Sequence, residues 1–200
     1  MSPREYRSDK RRAAAEETRR RILDAARALL AGDETPRLSV DAVAKAADVS
    51  RQSVYNAFGS KSGLLEALFD TLADRAGMGL ADAFTAPNPS SALAEFAGTF
   101  CRFWASDRTV LRRLRGLALL DGDLERLLRR RDEMRRTALT ELLRRFPDPP
   151  SDATIDVIWQ LTSFETYDAL ATRDQTRTTD DLAHIIGTAA TSVHRPGAAT

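Results

Sequence analysis

Between Ser39 and Lys61 the chain reads SVDAVAKAADVSRQSVYNAFGSK, a pattern that admits little besides two short helices joined by a tight turn. Ser39 is placed to cap the first helix, because its hydroxyl oxygen can accept from the free amides of the first turn. Val40, Val43, Ala44 and Ala47 then recur at helical spacing, and they are small enough for a second helix to cross closely. Asp48 falls where the turn needs a left-handed backbone. Glycine is the usual residue there, and Asp is one of the few others that tolerate it. Ser50 caps the second helix, RQSVYNAF. Val49, Val54 and Phe58 can turn inward, which leaves Arg51, Gln52, Ser53, Tyr55 and Asn56 on or near the outer face.

That outer row has the chemistry of a helix read against DNA. Arg matches guanine edges, and Gln or Asn matches adenine. Tyr55 and Lys61 are better suited to phosphates, which position a protein without reading sequence. With Ser39 and Ser50 at the two helix starts, these residues make up the candidate DNA-contacting set. The alternative is an αα-hairpin whose polar side is merely solvated.

The flanks separate the two readings. Upstream, TRRRILDAARALL (18–30) is an amphipathic helix with Ile22, Ala25, Ala26, Leu29 and Leu30 on one face. Downstream, Ser60 caps a helix beginning KSGLLEALFDTLADR. In order and spacing, RRRILDAARALL, LSVDAVAKAADVS, SVYNAFGSK and GLLEAL resemble the N-terminal region of TetR-family transcriptional regulators. The tyrosine, the phenylalanine three residues on, and the S-K-x-x-L-L that follows form the most specific part of the likeness. It covers about a third of the chain by motif and the rest by helix pattern. The chain departs from the family where Asp48 replaces the usual turn glycine, and where Asn56 and Ala57 replace an aromatic and a histidine that commonly touch phosphate.

Charge is uneven along the chain. Residues 1–61 hold 13 basic and 9 acidic groups, against a net charge of +1 overall, which suits nucleic acid at one end. Arg4, Arg7, Lys10, Arg11 and Arg12 could form an arm reaching the DNA backbone or minor groove, or a solvated tail, since the first 17 residues lack apolar periodicity. Of Arg19, Arg20 and Arg21, one at most is expected on a phosphate. No apolar run approaches a membrane span, and the N-terminal segment is charged rather than signal-like. A single Cys excludes an internal disulfide and suits a reducing cytoplasm, the expected location.

Past Arg75 the pattern is helical throughout, with no convincing strand. A loop at Pro87–Pro89 precedes a helix capped by Ser90 or Ser91, with Leu93, Phe96, Ala97, Phe100, Phe103 and Trp104 at three-four spacing. Asp107 starts the next helix. A long arginine-rich helix then runs from Gly122–Asp123 to about Phe146, and two more cover roughly 151–172 and 179–194. The expectation is an all-α protein of about nine helices: a DNA-binding helix-turn-helix domain over 1–61, then an effector-binding and dimerisation bundle over 62–200.

The last two helices read as an oligomer surface, with Ile155, Ile158, Leu182, Ile185, Ile186, Ala189 and Val193 as its apolar residues, and Ala183, Gly187 and Ala190 kept small for close packing. A buried helix in a monomer shows the same pattern; the resemblance and the two-fold symmetry of dimeric readers favour a homodimer. Phe96, Phe100, Phe103, Trp104, Leu117, Trp159, Phe164 and Tyr167 are candidate lining for a small-molecule effector site of the kind the resemblance implies, although aromatics at helical spacing also build plain core. Arg131 falls on the apolar stripe Leu124, Leu127, Leu128, Met134, Ala138, Leu142, and Glu165 interrupts the penultimate helix. They could pair, bind a charged effector group, or reach out to solvent.

An enzyme is not expected. GxGxxG, P-loop, HExxH and paired-cysteine motifs are all missing; the two histidines, His184 and His194, lie at the end of the chain, and Cys101 reads as an inert half-buried thiol. No metal or cofactor is implied. The expected protein is a TetR-type repressor that binds a palindromic DNA operator as a homodimer and is released by an effector. The alternative is a ligand-independent or low-specificity architectural DNA-binding protein.

Overall fold

In the computed structural model of the protein, residues 3–32 and 38–194 are described, and among them every regular element is a helix. The chain divides into two compact units, Met1–Thr71 with Arg112–Leu127, and Leu72–Leu111 with Leu128–Thr200.

The first unit begins with α1 (Pro3–Ala31), which is longer than the periodicity of residues 18–30 suggested. The basic N-terminal segment is thus helical from Pro3. Its alanines, arginines and glutamates are strong helix formers. Pairs such as Arg12 with Asp9 (3.2 Å) and Arg20 with Glu17 (2.6 Å) link successive turns. Lys10, Arg11 and Arg12 are exposed; the side chains of Arg4 and Arg7 lie outside the described ones. Helices α2 (Val40–Ala46) and α3 (Arg51–Phe58) follow, packed on α1 and on each other. Ile22, Ala26, Leu30, Val43, Ala44, Ala47 and Val54 are buried between them.

Each end of this pair is closed by a local device. The Ala42 N–H donates to Ser39 Oγ (3.1 Å) and the Ser53 N–H to Ser50 Oγ (3.0 Å). Asp48 has φ 51°, with the Val49 N–H reaching Ala44 O (3.0 Å) and the Asp48 N–H reaching Lys45 O (3.2 Å). That is the Schellman closure, with Asp in the position glycine normally takes. At the next turn Ser60 Oγ accepts from the Gly63 N–H (3.0 Å), opening α4 (Lys61–Arg75). A Cβ at Gly63 would stand 2.2 Å from the carbonyl oxygen of Phe58, so α3 and α4 approach this closely only because residue 63 has no side chain.

In the second unit α5 (Ala81–Thr85) is a short helix that the sequence pattern did not suggest. The central element is α6 (Pro89–Ser106), capped by Asn88, whose Oδ1 accepts from the Ser91 N–H (2.9 Å), rather than by Ser90 or Ser91. Pro at the first helical position explains the shift: it fixes φ and gives up an amide that would be unpaired anyway. Helix α6 is buried on nearly every side, against α5, α10 (Phe164–Arg173) and α11 (Thr179–His194). A Cβ at Gly187 of α11 would meet Ala94 Cα at 3.4 Å, so the small residues of α11 serve packing on α6 of the same chain.

The expected 151–172 helix is two, α9 (Asp152–Leu161) and α10. They part at Thr162–Ser163, where Ser163 Oγ accepts from the Thr166 N–H (3.2 Å) to start α10. Helices α7 (Arg108–Ala118) and α8 (Gly122–Arg144) each contribute residues to both units. With α5 and the split, the described residues hold eleven helices against about nine expected.

Candidate nucleic-acid interface

The first unit presents α3 outward. Arg51, Gln52 and Asn56 are exposed, Ser53 and Tyr55 half-buried, and only Val54 of this helix is fully buried. The exposed side chains are interlinked. Arg51 donates to both carboxylate oxygens of Asp41 (3.1 Å each) and to the Tyr55 hydroxyl (3.3 Å), and its guanidinium lies 5.6 Å from the Tyr55 ring centre. Gln52 donates to Asn56 Oδ1 (2.9 Å). Arginine, glutamine and asparagine thus stand in one row with their planar groups on the solvent side, as direct readout of base edges requires. Ser39 and Ser50 are exposed, but their hydroxyls serve as helix caps.

Arg19 and Arg21, at the start of the amphipathic part of α1, hold α3 and the turn before it in place. Arg19 donates to Ala57 O (2.7 Å) and stacks on the Phe58 ring at 4.3 Å; Arg21 donates to Ala47 O (2.6 Å) and Asp48 O (3.3 Å). Each satisfies carbonyls at a helix C-terminus, groups with no partner inside the helix. Sequence reading weighed these arginines as phosphate contacts and missed that role; only the fold shows which helix ends lie across from α1. Beside them Ala14, Ala15, Glu16, Thr18 and Arg19 of α1 face Ser53, Asn56 and Ala57 across an open groove of about 600 Å³.

Lys61, the first residue of α4, is engaged rather than free. Its ammonium donates to Asp121 Oδ2, and both side chains are about a third or less exposed, at 33% and 26%. Asp121 Oδ1 also accepts from the Asp123 N–H (3.1 Å) and the Leu124 N–H (3.3 Å), capping α8. Burial pushes the Asp121 carboxyl up, but the Lys61 and backbone hydrogen bonds and the ammonium charge together hold it below its ordinary value. It is therefore ionised at neutral pH. Arg113, from the same part of the first unit, donates to Leu30 O at the end of α1 (2.7 Å).

In the second unit the aromatics proposed as an effector site form a continuous cluster of tilted and edge-on rings. Ring centres of Phe96 and Phe100 are 4.8 Å apart, Phe100 and Trp104 5.8 Å, Phe103 and Trp104 4.7 Å, and Trp104 and Phe164 5.7 Å. All five, with Tyr167, are buried, while Trp159 is half-buried. Leu117, half-buried, belongs to the first unit. Burial raises the Tyr167 phenol and pushes the Cys101 thiol up to about 12, so Cys101 stays a protonated thiol.

The charged residue inside this unit is Arg135, not Arg131. Arg135 is 4% exposed, whereas Arg131 is half-buried and Glu165 is exposed. Arg135 donates to Trp159 O and to Thr162 Oγ1 (2.8 Å), lies 5.7 Å from the Phe100 ring centre and 5.2 Å from that of Trp159, and has Asp132 at 3.6 Å. Met134, placed on the inner stripe by sequence, is 61% exposed. The residues are adjacent, and one helical step of about 100° decides which enters the core. A signal existed: Leu128, Arg135 and Leu142 share one heptad spacing.

The apolar residues expected at an oligomer surface also divide. Ile155, Ile158, Leu182 and Ile186 are buried within the chain, Ala189 is half-buried, and Ile185 and Val193 are exposed at 37% and 38%. Val157, on α9, is 49% exposed.

Residues 22–68 match the family model of the bacterial regulatory proteins, tetR family. The HTH-type transcriptional regulator AlkX of Mycobacterium tuberculosis is 44% identical over 54 residues, which are 27% of this chain and 26% of that protein. The chain therefore covers about a quarter of that relative's length. Likeness of fold extends much further. A transcriptional regulator from Rhodococcus sp. Rha1 has a TM-score of 0.66 at 19% identity, over 88% of this chain and 95% of its own. The fatty acid degradation regulator FadR from Bacillus halodurans has a TM-score of 0.67 at 18% identity, over 86% and 94%.

Proposed function

We propose that this chain, whose residues 22–68 match the tetR family of bacterial regulatory proteins, is a repressor of that family, binding a palindromic DNA operator as a homodimer and released by a small-molecule effector. The observation that carries the reading is the solvent-facing row Arg51, Gln52 and Asn56 on a helix capped and braced at both ends. In this reading residues 1–61 form the DNA-binding domain, with Tyr55 and Lys61 on phosphates, and residues 62–200 carry effector binding and dimerisation. The aromatic interior of the second unit, with Arg135 as its buried cation, supports the placing of an effector there.

Regulation is a population shift. The DNA-competent dimer holds its two reader helices one helical turn apart, ~34–36 Å. An effector that prefers another spacing lowers DNA affinity only as far as its affinities for the two forms differ. We assign the movement to α4, which carries the chain from the first unit into the second.

The exposed apolar residues Val157, Ile185 and Val193 on α9 and α11 support a dimer surface there, backed by the buried Ile155, Ile158, Leu182 and Ile186. Introducing Val157→Asp together with Ile185→Asp should leave a folded monomer by light scattering and circular dichroism, since both changes lie on solvent-facing positions of the single chain. A dimer that survives both changes would place the interface elsewhere. The function itself is tested by selecting fragments from random and genomic DNA pools at near-physiological salt. Enrichment of a palindrome is expected; retention of DNA with no sequence preference would refute the operator reading.

A further inference from the structure

A lysine proposed to grip DNA is, in the free protein, already gripped by a carboxylate. Lys61 follows the reader helix by three residues, and its ammonium is paired with Asp121 while remaining a third exposed, within reach of an incoming anion. The carboxylate is divided: Oδ1 caps α8 through two backbone amides, and Oδ2 holds Lys61. The charge facing Lys61 is therefore held in place by a helix terminus and cannot simply swing aside. A phosphate brought to Lys61 meets a fixed anion of its own sign at contact range, where Coulomb interactions are strongest.

We propose that Asp121 is an internal stand-in for a DNA phosphate. It occupies Lys61 in the free protein, gives it up when the DNA backbone arrives, and so sets DNA affinity through Lys61. The proposal rests on the reading of the first unit as the DNA-binding part. Asp121 is then a positioning residue: it acts on DNA only through the lysine it holds. Exchanging one anion for another around Lys61 releases little net counterion. Removing the carboxylate charge should make Lys61 count as a full phosphate contact.

The test uses the full chain and a short random-sequence duplex, so that no operator need be known. Asp121→Asn and Asp121→Ser both keep an oxygen able to accept from the α8 amides, and their melting temperatures check that the fold survives. Both are expected to bind the duplex several-fold tighter than wild type. The slope of log K against log salt should steepen by about 0.9, the signature of one more neutralised phosphate. In a Lys61→Ala background the same substitutions should change neither affinity nor slope.

Tightening that persists without Lys61 would overturn the exchange in favour of a general field effect. Unchanged or weaker binding by the Asp121 variants, where Lys61→Ala itself weakens binding, would overturn the role of Asp121 and leave the DNA-binding reading intact. No effect of Lys61→Ala would overturn both the phosphate contact and the stand-in. Failure of the wild-type protein to bind any duplex would instead refute the proposed function.

Discussion

Arg135→Ala is expected to lower the stability of the protein by about 3 kcal/mol, within the range for leaving buried acceptors unpaired, and to lower the melting temperature of the whole chain by roughly 6–12 °C. The side chain joins three elements at one point. From α8 it reaches the end of α9, where Trp159 O is a terminal carbonyl, and Thr162, in the break between α9 and α10. Trp104 Nε1 donates to Thr162 O (3.1 Å) from the other side, so α6 closes the same break. Truncation leaves the Thr162 hydroxyl oxygen without its donor and the Trp159 carbonyl with only the Thr162 hydroxyl (3.0 Å), opens a gap beside Phe100 and Trp159, and removes the cation from two aromatic faces.

The comparison with Arg135→Met separates these losses. Methionine keeps most of the apolar stem, so any excess destabilisation by Ala reports packing, and what the two share reports hydrogen bonding. Arg135→Lys should fall between: one guanidinium nitrogen, Nη1, makes both hydrogen bonds and an ammonium can replace it, but an ammonium lacks the flat face set against both rings. Thermal unfolding followed by Trp fluorescence measures all three. An Ala variant that melts with the wild type would show that water replaces the guanidinium without cost.

The second large effect is on sequence preference. Arg51→Ala should cost roughly 1–3 kcal/mol of discrimination at one base position of the selected operator, the worth of a good bidentate contact. Binding to unrelated DNA should change much less. The Asp41 pairing of Arg51 does not stand in the way. With side chains 59% and 67% exposed, such a pair is weak in water, which leaves the guanidinium available to a base edge. Tyr55→Phe should behave oppositely, weakening all sequences alike, as loss of a phosphate contact does. Competition between the operator and single-base variants decides it. Uniform weakening by Arg51→Ala would make Arg51 a backbone contact.

The parts that were legible in the sequence are those decided within a few residues. Ser39, Ser50 and Ser60 cap because a hydroxyl finds an amide three residues on, and Asp48 turns the chain because few side chains tolerate a positive φ. The outward row of α3 followed from the same local period. Pro89 places the α6 cap at Asn88 by an equally local rule. The break between α9 and α10 was hidden because its apolar residues run through it without a glycine or proline.

What depended on neighbours distant in sequence could not be read in this way. Whether Arg131 or Arg135 enters the core depends on the rotation of α8 against α6 and α9, and adjacent residues sit only one helical step apart. The same holds for Ile185 and Ile186, one exposed and one buried. Arg19, Arg21 and Lys61 looked like cations available to DNA, yet the fold sets each against a carbonyl or a carboxylate. By itself, then, the sequence determined most of the helices, the caps at Ser39, Ser50 and Ser60 and the outward face of α3, because backbone hydrogen bonds and side-chain period act at short range. Only the tertiary structure decided which side chains are buried and which charges are already paired, because those depend on groups that meet only when the chain has folded.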